Sequence, residues 1–143
     1  MTVVVDTSIV AKWFVTESDS DRAIDLLHSW NERKIRPVVP RLALAEVGNV
    51  LLKYVLDGLA TTNDALAMLS EMPRFVTIAD LTLEHTKRAF MLAQQHGRRT
   101  IYDMHFLVIA EDFGCELWTA DERFWQTVSG QFPFLKWLGS IAT

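Results

Sequence analysis

Thr2-Val3-Val4-Val5-Asp6-Thr7-Ser8 begins with four β-branched residues and then breaks into an acid and two hydroxyls. Three consecutive valines leave no polar face, which suits a strand covered on both sides by helices. Such a strand belongs in the middle of a sheet. Ser8 is placed to cap a short helix reaching about Thr16.

Outward from that strand, the chain alternates helical and extended patterns. Asp19 or Ser20 can cap a helix carrying Ala23, Ile24, Leu27 and Trp30 at helical spacing, and Pro37-Val38-Val39-Pro40 makes a small second strand. Arg41 to Leu56 puts Leu44, Val47, Leu51 and Val55 on one stripe and stops at Gly58. Thr62-Asn63-Asp64 opens a helix that Pro73 closes, and Phe75 to Ala79 reads as a third strand. Thr82 caps a helix running to Gly97, Thr100 caps Ile101 to Phe113, and Gly114 terminates it. Cys115 to Thr119 is a fourth strand, a short helix starts near Asp121, and Phe134 to Leu138 is a last brief strand after Pro133. This alternation implies βαβ crossovers, an α/β fold and a mostly parallel sheet between helix layers.

The length of 143 residues, half of them hydrophobic, suits one domain spanning 1–143. Cys115 is the lone cysteine, so no internal disulfide forms and a reducing compartment, the cytoplasm by default, is expected. No apolar run reaches the roughly 18 residues of a membrane span, and the opening residues lack the basic region of a secretion signal. Membrane and secreted classes are not expected. The net charge of −4 does not advertise nucleic-acid binding, though local basic patches remain available for it.

In a parallel sheet, each helix that follows a strand starts at the strand's carboxyl edge, where open α/β sheets bind ligands. Asp6 ends the first strand, Glu46 lies in the second turn after the second, Asp103 sits in the first turn of the helix feeding the fourth, and Asp121 closely follows the fourth. All four should therefore face one edge. Each has a plainer role available: Asp6 and Asp121 as helix caps, Asp103 opposing a helix dipole, Glu46 in a solvated stripe with Asn49 and Lys53. Those roles do not require convergence, whereas four like charges in one crevice need cations or protons to compensate them. With no His or Cys among them, the ligand set is all oxygen and suits Mg²⁺ or Mn²⁺ rather than zinc.

Val3-Val4-Val5-Asp6-Thr7-Ser8, Ala45-Glu46, Tyr102-Asp103 and Thr119-Ala120-Asp121-Glu122-Arg123-Phe124, with acids 40, 57 and 18 positions apart, resemble the four acidic signatures of PIN-domain nucleases, in particular VapC-type toxins. The resemblance spans nearly the whole chain. It implies a three-layer α/β/α sandwich of sheet order 3-2-1-4-5, Mg²⁺-dependent endoribonuclease activity, a homodimer, and a cognate VapB-type antitoxin that inhibits the enzyme. Relatives often carry a small residue after the third acid. Here Met104 and His105 follow Asp103, which bears on substrate identity, and His105 reads as a helix-packing residue.

Metal-assisted hydrolysis then assigns roles: Asp6, Glu46 and Asp103 as leading ligands, Asp121 on a second ion directly or through water, and a product bearing a 5′-phosphate. Thr7, Ser8 and Thr119 are supporting hydroxyls. Lys12, Arg98, Arg99 and Arg123 lie near helix starts and are candidates for RNA phosphates, Arg98-Arg99 foremost, while Arg33, Lys34 and Arg36 are assigned to the opposite edge. Trp13, Phe14, Phe90, Trp125 and Trp137 are expected in core or interface, and Trp30 and Tyr54 where an antitoxin segment or second copy docks. A phosphoaspartate enzyme is disfavoured because Ser8, not Asp, stands two positions after Asp6. A catalytically inert PIN-like module binding RNA or protein is the alternative.

Overall fold

The computed structural model describes residues 1–141. Its elements run β1 (Thr2–Val5), α1 (Thr7–Phe14), α2 (Ser20–Glu32), β2 (Arg36–Pro40), α3 (Leu42–Leu56), α4 (Thr62–Phe75), β3 (Thr77–Ala79), α5 (Leu83–Gln95), α6 (Tyr102–Phe113), β4 (Leu117–Thr119), α7 (Glu122–Val128) and β5 (Leu135–Trp137), followed by a 3-10 turn at Leu138–Ser140. The five strands form one sheet of order β3-β2-β1-β4-β5, every neighbouring pair parallel. The α/β class and the 3-2-1-4-5 order both hold.

Val3, Val4 and Val5 are buried at the centre of this sheet, as a strand with no polar face must be. β2 tolerates two prolines because of register: pairing with β3 begins only at Val38, after Pro37, and pairing with β1 ends at Val38, before Pro40. Helix α6 is apolar nearly all round, and Met104 to Ala110 are all buried. A helix of that kind lies inside the molecule rather than on it.

Several helix ends differ from the sequence reading for local chemical reasons. Asp6, not Ser8, caps α1, accepting the Ser8 N–H, and that helix ends at Phe14. Asp19 holds the N-cap position of α2 but is left-handed at φ 65° and makes no side-chain capping bond, while the Ser20 hydroxyl accepts the Glu17 N–H and donates to the Val15 carbonyl, closing the loop before the helix. Pro73 lies inside the last turn of α4, which continues to Phe75 and shortens β3 to three residues. α6 starts after Ile101 with no side-chain cap, so Thr100 does not act as one. β4 and β5 are likewise three residues each, shorter than Cys115 to Thr119 and Phe134 to Leu138 suggest.

The aromatics sort differently from expectation. Trp30 is 3% exposed and packs edge-on against Trp118 at 6.4 Å, so it is core and unavailable for docking. Tyr54 is half-buried with its hydroxyl on Glu17, and Phe90, assigned to core or interface, is 57% exposed and so not core. Trp125 and Trp137 stack at 5.3 Å. His105 is a packing residue: Nδ1–H donates to the Ile101 carbonyl and Nε2 accepts from the Thr86 hydroxyl, joining α6 to α5. No described helix is long and apolar enough to cross a membrane.

Candidate active site

Asp6 extends the β1–β4 ladder by one step, its N–H donating to the Trp118 carbonyl at 3.1 Å, and then turns the chain into α1. Its Oδ1 accepts the Ser8 N–H at 3.1 Å and the Ser8 hydroxyl. Ser8 Oγ in turn accepts the Ala120 N–H at 2.8 Å and lies 3.4 Å from Thr119 Oγ1, which accepts the Asp121 N–H at 3.0 Å. One relay of hydroxyls thus ties the end of β1 to the end of β4. Thr119, at the far end of that relay, is wholly buried.

Glu46 turns away from a solvated stripe: its Oε1 accepts the Thr7 hydroxyl at 2.9 Å, so α3 is tethered to the first turn of α1. Asp103 stands in the first turn of α6. Burial pushes the Asp6 carboxyl up to about 7; the Ser8 and Thr119 hydroxyls oppose that rise and the charge of Asp103 adds to it. Burial also raises Glu46, opposed by Thr7 and again reinforced by Asp103. Asp6 and Glu46, drawn from well-separated parts of the chain, therefore both feel the charge of Asp103. Asp121 is more peripheral, exposed, with Oδ1 accepting the Phe124 N–H at 3.0 Å as the cap of α7.

The basic candidates divide. Arg98 reaches Asp103 itself, Nη2 to Oδ2 at 2.6 Å, with its guanidinium carbon 5.5 Å from the Phe124 ring centroid. Arg99 and Arg123 are exposed and form no ion pair among the described residues. Lys12 is taken up at the far end of α1, on Glu17 at 3.3 Å and the Ser18 carbonyl at 2.6 Å. Arg36 sits at the opposite edge, fastened to the Thr77 hydroxyl and the carbonyls of Pro73, Arg74 and Val76. Arg41, paired with Asp80 at 2.7 Å where α3 begins, is a cation at the carboxyl edge that the sequence reading passed over. The signal was available, since Arg41 directly follows the second strand.

Among the described residues no three acidic, His or Cys side chains stand as a closed metal cage. Asp103 is engaged by Arg98 and Asp121 by the Phe124 amide. The donor set nevertheless fits a hard divalent cation: it is all oxygen, and its mutual repulsion and desolvation are what such a cation relieves.

Known proteins resemble this chain in sequence and fold. The PIN-domain family matches residues 3–128. Ribonuclease VapC3 of Pyrobaculum aerophilum is 33% identical over 137 residues, covering 94% of this chain and 98% of the relative. Among solved structures, VapC20 of Mycobacterium tuberculosis, a sarcin-ricin loop cleaving toxin, superposes with a TM-score of 0.67 at 16% identity over 85% of this chain and 92% of its own. VapBC-1 from nontypeable Haemophilus influenzae gives 0.67 at 12% identity over 98% of this chain and 100% of that one. The chain belongs to the PIN-domain family and, within it, to the VapC group.

Proposed function

We propose that this chain is a divalent-metal-dependent endoribonuclease and the toxin of a toxin–antitoxin pair, with Mg²⁺ as its ion and Mn²⁺ as a substitute. The observation that carries this reading is the gathering of acids at the carboxyl edge of the sheet, where Asp6 and Glu46 are both desolvated and both raised further by the charge of Asp103. It is supported by the VapC relative named a ribonuclease and by a neighbour solved as a VapBC assembly, which points to a VapB-type antitoxin as partner.

Asp6, Glu46 and Asp103 bind the ion in this reading, and Asp121 contributes directly or through water. When bound, the ion supplies an activated water and neutralises charge developing at the scissile phosphate. Ser8 and Thr119 favour the ionised form of Asp6 and fix its orientation, and Thr7 holds Glu46 in place. Arg99 and Arg123 are free to take backbone phosphates.

The test is incubation of cellular RNA with the wild-type protein and with Asp6→Asn in Mg²⁺, followed by mapping of new 5′ ends. Wild type should create 5′-monophosphate ends that disappear with chelator, and a folded Asp6→Asn should lose them by at least roughly 100-fold. Cleavage by Asp6→Asn at wild-type rate with the same metal dependence refutes the assignment. A wild-type protein that binds RNA or antitoxin but cuts nothing is the inert binding module.

A further inference from the structure

We infer that Arg98 is the internal counter-ion of the metal-free site, competing with a divalent cation for the Asp103 carboxylate and giving way when that cation binds. This rests on the metal-dependent reading above. Of Asp6, Glu46 and Asp103, only Asp103 has an ion-pair partner among the described residues, and that partner is Arg98.

The contact is built rather than incidental. Helix α5 ends in a Schellman motif: Gly97, left-handed at φ 64°, donates to the Gln94 carbonyl at 3.2 Å and the Arg98 N–H donates to the Ala93 carbonyl at 2.8 Å. That turn fixes the Arg98 backbone five residues before Asp103, within reach of the first turn of α6. On its other side the guanidinium lies against Phe124, a buried residue of α7. Arg98 is thus held by groups from α6 and α7 while its own backbone is clamped to α5. Its side chain is 23% exposed, compared with 60% for Arg41 in the surface pair with Asp80.

Held this way, the guanidinium pairs with the one acid whose charge raises both Asp6 and Glu46. It also occupies Asp103 Oδ2, an oxygen that a bound cation would need. A cation that recruits Asp103 must displace a charge-assisted hydrogen bond, so the arginine sets a threshold for loading.

The experiment is titration of the full chain with Mn²⁺ alone, read by electron paramagnetic resonance, for wild type, Asp6→Asn, Arg98→Met, Asp103→Asn and the Arg98→Met, Asp103→Asn double variant. Met keeps the apolar stem over Phe124 and removes the charge. Arg98→Met should tighten Mn²⁺ binding roughly three- to ten-fold, as expected for losing one partly exposed competing pair. In the Asp103→Asn background the same change should have no effect. The metal-free Arg98→Met protein should melt below wild type, yet gain more in Tm on adding Mn²⁺.

Unchanged or weaker Mn²⁺ binding in a cooperatively melting Arg98→Met protein overturns the inference. Should that variant fail to melt cooperatively, Arg98→Gln carries the same expectation. Wild type binding no Mn²⁺, or binding that Asp6→Asn leaves intact, overturns the metal-site reading and this inference together. Binding that depends on Asp6 but is indifferent to Arg98 overturns the counter-ion role alone.

Discussion

A carboxyl group that keeps its proton to about pH 7 works against the fold that buries it. Asp6 titrates at its ordinary value of 3.8 when unfolded and at about 7 when folded, so between those values the folded state holds a proton that the unfolded chain has released. Its contribution to stability therefore falls as pH rises through that window and stays low above it. Asp6→Asn should remove the slope: in chelator it should be more stable than wild type by on the order of 2 kcal/mol at pH 8 and nearly equal at pH 4, read by urea unfolding. Saturating Mg²⁺ should reverse the order at pH 8, because only wild type binds it tightly. At this scale the sequence was partly legible. Asp6 is conspicuous as the acid ending an all-valine strand, but Asp and Ser are both good caps, and only the backbone path shows that Asp6 caps α1 while Ser8 spans to Ala120. The Arg98–Asp103 pair was hidden because it crosses a turn whose shape depends on Gly97.

Helices α5 and α6 illustrate how an element's end can matter more than its middle. Gly97→Ala forces a side chain into the left-handed region and should cost about 1 kcal/mol by thermal or urea melting, with the Arg98 position disturbed alongside. Farther along the same pair, Arg88 forks onto Glu111 and onto Asp112 at 2.7 Å, and His85 Nε2 donates to Asp112 while its Nδ1 accepts the Thr82 N–H. Arg88 foremost, then His85, holds the Asp112 carboxyl below its ordinary value; this support is present above that value and lost as pH falls through the lowered one. The clasp is well exposed to water, so Arg88→Met should cost under about 1 kcal/mol, and the difference should shrink in high salt. Elements with a clean period or a glycine stop, such as α3 before Gly58 and α6 before Gly114, could be read from sequence. Pro73 could not be placed, since a proline near a helix end can close it or sit in its last turn, and tertiary packing decides.

Across the whole molecule, burial rather than composition separates core aromatics such as Trp30 from surface ones such as Phe90. Trp30→Ala should cost roughly 3–5 kcal/mol in unfolding free energy, the penalty of a cavity in a close-packed core. A loss much below 1 kcal/mol would contradict its place there. With a net charge of −4, RNA binding must come from local cations. Arg99→Glu with Arg123→Glu should therefore weaken binding and lower the slope of log affinity against log salt by about 1 for each phosphate no longer neutralised. The α/β class followed from the alternating pattern alone, whereas strand order came from family resemblance, because periodicity is silent about which strands are neighbours.

The sheet ends on both sides in strands of only three residues, β3 and β5. Such stubs offer incoming chains too few free amides and carbonyls to template edge-to-edge growth, and the Arg36 fork grips the outer margin at Thr77. Accumulating copies should consequently resist amyloid-like stacking.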